Sequence, residues 1–105
     1  MREPTFLILT ALAGAPAHGY GIIQTVAELS EGRVTLRAGT LYAALDRLAS
    51  EGSVKVDNEQ VVNGRNRRYY SVTTAGRDRL VAEIVRMESN ALAAREQLEL
   101  AHGVR

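Results

Sequence analysis

The chain has 105 residues, no cysteine and a net charge of +1, and 46% of its residues are hydrophobic. These values are typical of one small globular domain, and the lack of cysteine excludes disulfides, thiolate metal sites and cysteine nucleophiles. The chain has no apolar run long enough to cross a membrane, and its N-terminus lacks the pattern of a cleavable leader, so we expect a cytoplasmic protein. Residues 33–79 hold nine basic and five acidic residues, whereas the rest of the chain is net negative. This uneven distribution favours a polyanionic partner on one face of the domain.

The first helix is predicted from Pro4, because proline suits the first turn of a helix, where its missing N–H costs nothing. The apolar residues that follow, up to Leu12, are nearly continuous and predict a helix buried on more than one side. One side belongs to the domain core, and we expect Phe6 and Leu9 to contact a second copy of the chain. The alternative is complete burial within one chain. The helix is expected to end at Gly14-Ala15-Pro16.

A second helix is predicted from His18, which we expect to cap the helix or pack at its start, to about Ser30. Helical spacing predicts a buried stripe of Ile22, Ile23, Val26 and Leu29. Glu31-Gly32-Arg33 then turns the chain. Val34 to Leu36 is expected to form a short strand that pairs with a later hairpin.

The third predicted helix starts near Ala38 or Gly39 and ends at the C-terminal cap Gly52. Its apolar face holds Leu41, Ala44, Leu45 and Leu48. Its other side carries Arg37, Thr40, Tyr42 and Arg47. Such side chains donate hydrogen bonds to phosphates and base edges of nucleic acid. Taken alone, the segment also fits an amphipathic surface helix with a solvated polar face.

Two β-rich runs follow, Val54 to Val56 and Tyr69 to Val72, and the dipeptide Asn63-Gly64 between them is typical of a β-hairpin. Arg65 and Arg67 lie just after this turn, on the returning strand. A helix followed by a hairpin with a basic tip is the pattern of a winged helix-turn-helix. The alternative is that the arginines only protect an exposed sheet edge.

Three segments, in this order, resemble the PadR family of bacterial transcriptional regulators: HGYGI at 18–22, GTLYAALDRLASEGSV at 39–54 and GRNRRYYSVTTAGRDRL at 64–80. The resemblance covers roughly residues 5–85 and implies a winged helix-turn-helix, mainly α with a small β-hairpin. The chain departs from the family pattern at Ala43, where the family usually has a proline after its tyrosine.

From this resemblance we expect the third helix to enter a major groove and the hairpin to contact the DNA backbone. The expected DNA contacts are Tyr20, Arg37, Thr40, Tyr42, Arg47, Arg65 and Arg67. Arg68 is left out because it faces the opposite side of an ideal strand from its neighbours. For Tyr20, packing of the ring within the domain remains the alternative to a hydrogen bond with a phosphate.

The last helix is predicted from about Ala75 to Ala101, with a cap at Thr73 or Thr74. A heptad stripe runs along it, with interface residues expected at Leu80, Ile84, Met87, Ala91, Ala94 and Leu98. No later element remains to cover this stripe, so we expect a homodimer rather than a helix folded back on its own domain. In the family the corresponding helix makes the homodimer, and the resemblance is to the short-tailed branch. Residues 1–73 would then be the winged helix-turn-helix domain and residues 74–105 the dimerisation helix.

The resemblance also implies a ligand, because PadR regulators bind phenolic acids or hydrophobic drugs, often between the subunits. We therefore expect a small hydrophobic or phenolic inducer, with a pocket wall at Met87, Ala91 and Ala94. The same residues also make a sound coiled-coil seam, and the chain has no tryptophan to stack on such a ligand.

The sequence therefore predicts a homodimeric repressor that binds a palindromic operator in double-stranded DNA and is released by a small ligand. No enzyme activity, metal or cofactor is expected, because cysteine is absent and the two histidines, His18 and His102, lie far apart in the sequence. The main alternative is a winged-helix module that binds an acidic protein surface and no specific DNA. Salt distinguishes the two, because DNA binding by several arginines weakens steeply as salt rises.

Overall fold

The computed structural model describes residues 1–103. Within them, four helices and three strands follow one another as α1 (Glu3–Gly14), β1 (Ala17–His18), α2 (Gly19–Leu29), α3 (Ala38–Ser50), β2 (Val54–Val62), β3 (Arg65–Val72) and α4 (Thr74–Gly103). The strands form one antiparallel sheet in the order β1-β3-β2. This architecture confirms the predicted fold, three packed helices with a β-hairpin wing and a long last helix. None of the described helices combines the length and the apolar character that crossing a membrane requires.

The core lies where α1, α2 and α3 meet. Its fully buried side chains are Ile8, Leu9, Leu12, Ile22, Val26, Leu41, Leu45 and Leu48. Burying a leucine or isoleucine side chain contributes about 1.5–3 kcal/mol, so this cluster is the main source of stability. The apolar stripe of α3 enters the core as predicted, and the polar side of α3 is therefore held at the surface.

Two residues predicted at a dimer interface belong instead to the core of their own chain. Leu9 has 0% of its surface exposed and Leu80 has 7%, so neither offers a partner any appreciable area. For these two residues the interface prediction is wrong. Leu9 lies in the core where α1 packs against α2 and β3, and Leu80 lies in the same core because the start of α4 packs on α1 and β3.

The strand that joins the hairpin to complete the sheet is formed by residues other than the predicted ones. Val34 to Leu36 is not a strand. The backbone of Val34 is bound locally instead, since the buried Ser30 Oγ accepts from Val34 N at 2.9 Å, and the hydroxyl proton has Ala27 O at 3.3 Å and Val34 O at 3.4 Å as acceptors. The sheet instead gains Ala17 and His18, which pair with Tyr70 and Tyr69. The start of α2 is thereby attached directly to the wing.

The C-terminus of α2 also departs from the predicted stripe. Leu29, expected inside, is 48% exposed, whereas Ser30 is 2% exposed. The helix ends at Leu29, and the chain turns through Gly32, whose φ of 84° closes the last turn with a bond from Gly32 N to Ala27 O. The last apolar residue of a periodic pattern therefore falls outside the packed part of the helix.

The wing is longer than its β-rich runs predicted, but it turns at the predicted residues. Asn63 and Gly64 both have positive φ, 51° and 77°, as a type I′ hairpin turn requires. The register runs from Val54 opposite Val72 to Val62 opposite Arg65, with an irregularity between Val56 and Asn58. Most side chains beyond this irregularity are exposed, so the wing projects from the domain.

The start of α4 is anchored to the turn between α3 and β2. Thr73 Oγ1 accepts from Gly76 N at 3.0 Å and donates to the carbonyl of Gly52, which confirms the predicted cap at Thr73. Gly76 is buried against this turn: a Cβ at this position would collide with Ser53 O and lie 2.7 Å from Val72 Cγ2. These contacts determine the direction in which α4 leaves the domain.

Beyond this anchor α4 is uncovered by the described residues. All side chains from Ile84 to His102 are exposed, including Met87 at 47% and Leu98 at 64%. A helix of 30 residues is about 45 Å long, so it accounts for most of the 69 Å length of the molecule. Its outer half carries apolar side chains that this chain alone leaves in water.

Candidate nucleic-acid interface

A groove lies between the exposed side of α3 and the wing. Its lining includes Tyr20, Tyr42, Arg65 and Arg67, four of the residues predicted to bind DNA. They come from α2, α3 and β3, which the sequence separates by as many as 47 positions. The groove is open and predominantly polar, which suits an extended polar ligand more than an enclosed small molecule.

His18 joins the start of α2 to the wing. Its Nδ1 accepts from Gly21 N at 3.2 Å and so caps α2, as expected, while its ring meets Tyr69 edge-to-face with centroids 5.3 Å apart. Burial, and then the charge of Arg67, lower the pKa of the His18 imidazole. The ring is therefore neutral at pH 7, which leaves the Nδ1 lone pair free for the cap.

Tyr20 and Tyr42 both line the groove. Tyr20 is 65% exposed in the first turn of α2, so the alternative of packing within the domain does not describe it. Tyr42 is 46% exposed, and its ring crosses the start of α2 at Gly19. A methyl group at Gly19 would lie 2.7 Å from Tyr42 Cζ and closer still to the hydroxyl. Gly19 therefore sets the position of Tyr42, a role that sequence reasoning missed.

We expect Gly19→Ala to weaken DNA binding without unfolding the protein, because only the far end of the Tyr42 side chain has to move. Tyr42→Ala should weaken binding as well, and the double variant should be no weaker than Tyr42→Ala alone, since the two changes act through one ring. Thermal unfolding together with fluorescence anisotropy on labelled duplex DNA measures both effects. Additive losses would mean that Gly19 acts independently of Tyr42.

The wing arginines differ in how far they are neutralised. Arg68 Nε lies 3.3 Å from Glu59 Oε1, and Asn66 also donates to Glu59 at 2.9 Å. These hydrogen bonds lower the pKa of Glu59, which stays ionised and neutralises Arg68. Within residues 1–103, Arg65 and Arg67 are exposed and have no acidic partner. The two arginines selected from the sequence are thus the ones with free positive charge.

The structure separates the predicted residues on α3 into two groups. Tyr42 faces the wing, whereas Thr40 and Arg47 line a second depression next to the N-terminus of α1. Arg47 Nη2 donates to Thr5 Oγ1 at 2.9 Å. Arg37 precedes α3 as its N-cap residue and is exposed. The predicted residues therefore surround the exposed side of α3 and do not form a single cluster.

Comparison with known proteins matches residues 8–82 to the model of the transcriptional regulator PadR-like family. The chain is 40% identical over 76 residues to the transcriptional regulator Rv3488 of Mycobacterium tuberculosis, covering 72% of this chain and 67% of that protein.

Solved structures agree with this match. A PadR family transcription regulator from Clostridium difficile superposes with a TM-score of 0.77 at 28% identity, covering 92% of this chain and 99% of that one. Bacillus subtilis PadR in complex with operator DNA has a TM-score of 0.71 at 20% identity, covering 80% of this chain and 49% of that one, which is a likeness of fold.

Proposed function

The chain belongs to the PadR-like family of transcriptional regulators, and from this membership we propose that it is a homodimeric repressor of a palindromic operator, released by a small ligand. The observation that carries the proposal is the exposed side of α3 lying beside two wing arginines that have no acidic partner within residues 1–103. Bacillus subtilis PadR, which has the same fold, was solved in complex with operator DNA, and this supports DNA as the partner.

In this proposal α3 enters a major groove, which is about 12 Å wide and admits a helix. Arg37 and Thr40, at the N-terminal end of α3, and Tyr42 contact base edges and phosphates. Tyr20 donates its hydroxyl to the backbone beside them. Arg65 and Arg67 hold the flanking backbone or enter the adjacent minor groove, since a free guanidinium binds phosphate in two parallel hydrogen bonds.

The homodimer is proposed from the uncovered side of α4. The seam runs through Ile84, Met87, Ala91, Ala94 and Leu98, and the half-buried Phe6 of α1 lies close to Met87. A second copy of the chain would bury this apolar surface at a gain of about 25 cal/mol per Å². It would also place two α3 helices on successive major grooves, about 34 Å apart.

The ligand part of the proposal rests on a depression next to Met87. Its walls are Glu3, Phe6, Leu7, Arg33, Glu83 and Met87. Apolar side chains together with one guanidinium and two carboxylates suit a small hydrophobic or phenolic molecule. Of the three residues predicted for the pocket, Met87 lines this depression, whereas Ala91 and Ala94 lie further along α4 and do not. In this proposal an occupant would release the operator by favouring a different separation of the two α3 helices.

The test is a gel shift of the purified protein on DNA from its own upstream region, repeated at rising salt and with excess competitor DNA. We expect a discrete complex. In the double variant Arg65→Ala/Arg67→Ala, the loss of two phosphate contacts should lower the slope of log affinity against log salt concentration by about 1.8. The matched control is Arg68→Ala, which removes the same charge from the same strand but from a neutralised side chain. It should leave the slope nearly unchanged.

A smear that competitor removes, with the same slope for all variants, would contradict specific DNA binding. It would favour the protein-interaction module instead.

A further inference from the structure

A second basic surface lies on the side of α3 away from the wing. We call it the α1 flank and define it by Arg2, Thr5, Thr40 and Arg47, which line one open depression. The exposed residues of α3 therefore divide between this flank and the wing groove. Thr40 and Arg47 are among the predicted DNA contacts, whereas Arg2 and Thr5 are not, and the proposed α4 seam does not use the α1 flank.

Two cations of the α1 flank keep their charge available. Arg2 is exposed at the N-cap of α1, and its side chain makes no capping bond there. Arg47 is exposed and, among residues 1–103, its side chain bonds only to a neutral hydroxyl, that of Thr5. Glu51 also lines the depression, but Arg79 binds it at 3.0 Å and donates to Ser53 Oγ at 2.6 Å as well. The carboxylate that lines the depression is thus already neutralised.

Thr5 holds the guanidinium of Arg47 in place. Its side chain is nearly buried, at 9% exposure, so its hydroxyl is fixed by the packing of α1. A long arginine side chain otherwise samples many rotamers, and restricting it lowers the entropy lost on binding. One guanidinium nitrogen is bound to Thr5, and the others remain available to a ligand.

A helix that enters a major groove has a phosphate backbone on each side. The wing and Tyr20 lie on one side of α3, and the α1 flank lies on the other. We propose that Arg2 and Arg47 bind the second backbone, with Thr5 positioning Arg47, so that α3 is held from both sides. This inference rests on the proposed function, because it needs α3 in the groove. Contacts to phosphate fix the register of a helix on the duplex but carry no sequence information.

The experiment measures affinity for operator and for random duplex DNA as a function of salt. Arg2→Ala and Arg47→Ala should each lower the slope of log affinity against log salt concentration by about 0.9. This corresponds to a roughly eightfold loss of affinity at 0.1 M salt, and the loss should be the same for operator and random DNA. Arg33→Ala is the matched control, since it removes one arginine near the start of α1 whose guanidinium is bound to Glu3 at 2.9 Å. It should leave the slope at the wild-type value.

The positioning role of Thr5 is tested separately, by measuring DNA affinity of Thr5 variants with and without Arg47. Thr5→Val should weaken binding in the wild-type background and have no effect in the Arg47→Ala background, while Thr5→Ser, which keeps the hydroxyl, should restore affinity. A merely structural role would make Thr5→Val equally harmful in both backgrounds. Unchanged slopes for Arg2→Ala and Arg47→Ala, with the wing variants behaving as expected, would overturn this inference alone. Loss of the discrete wild-type complex itself would overturn the proposed function and this inference with it.

Discussion

Leu98→Glu is expected to dissociate the proposed homodimer and to weaken operator binding by about 10²- to 10⁴-fold, the gain that linking two half-sites normally provides. Leu98 is 64% exposed in the single chain, so the substitution leaves the domain core intact. At the proposed seam, however, the new carboxylate would be buried without a partner, which costs far more than the apolar contact contributed. Sedimentation velocity measures the mass, and a gel shift on the same sample measures the operator complex.

Leu100→Glu is the matched control for this prediction. Leu100 is 57% exposed on the same turn of α4, but two residues along a helix rotate the side chain by about 200°, which places it away from the seam. The control should remain dimeric and bind the operator normally. A dimeric Leu98→Glu protein would show that the seam is misplaced, and dissociation of both variants would point to a general effect of charge on α4.

Gly76→Ala is expected to destabilise the protein by about 2 kcal/mol. The added methyl would meet the carbonyl of Ser53, which also accepts from Thr73 N at 3.0 Å, and would lie 2.7 Å from Val72 Cγ2. Because the obstacle is backbone, the first turn of α4 must shift, and overpacking of this kind costs about 1–3 kcal/mol. A collision with backbone lies at the upper end of this range, and alanine recovers about 1 kcal/mol through its higher helix propensity, which leaves the net loss of about 2 kcal/mol. Thermal unfolding should show a midpoint lowered by about 10 °C.

Gly39→Ala provides the comparison. Gly39 also lies in the first turn of a helix, but a Cβ there has nothing within 4 Å. This variant should be as stable as the wild type or slightly more so, since alanine favours helix. If both variants unfold at the same temperature, the packing of Gly76 does not determine stability.

Local patterns in the sequence were enough to predict most elements and their ends. The apolar stripe of α3, the Asn63-Gly64 turn and the cap at Thr73 are all where they were expected. Each of these depends on interactions within a few residues of the chain, such as a helical period, a positive φ or a side chain that caps its own helix. Arg65 and Arg67, predicted at the basic tip of the hairpin, are exposed on the wing, because a hairpin keeps neighbours in sequence close in space.

The tertiary structure determined which segments of the chain are in contact. It replaced the strand expected at Val34–Leu36 with Ala17–His18, and it moved Leu9 and Leu80 from an expected interface into the core of their own chain. It set Tyr42 against Gly19, bonded Arg47 to Thr5 and packed Gly76 against Ser53. A periodic pattern specifies which side of a helix is apolar, but the element that covers it depends on contacts between distant segments. Candidate site residues could therefore be proposed from the sequence, whereas their division between the two sides of α3 required the packed fold.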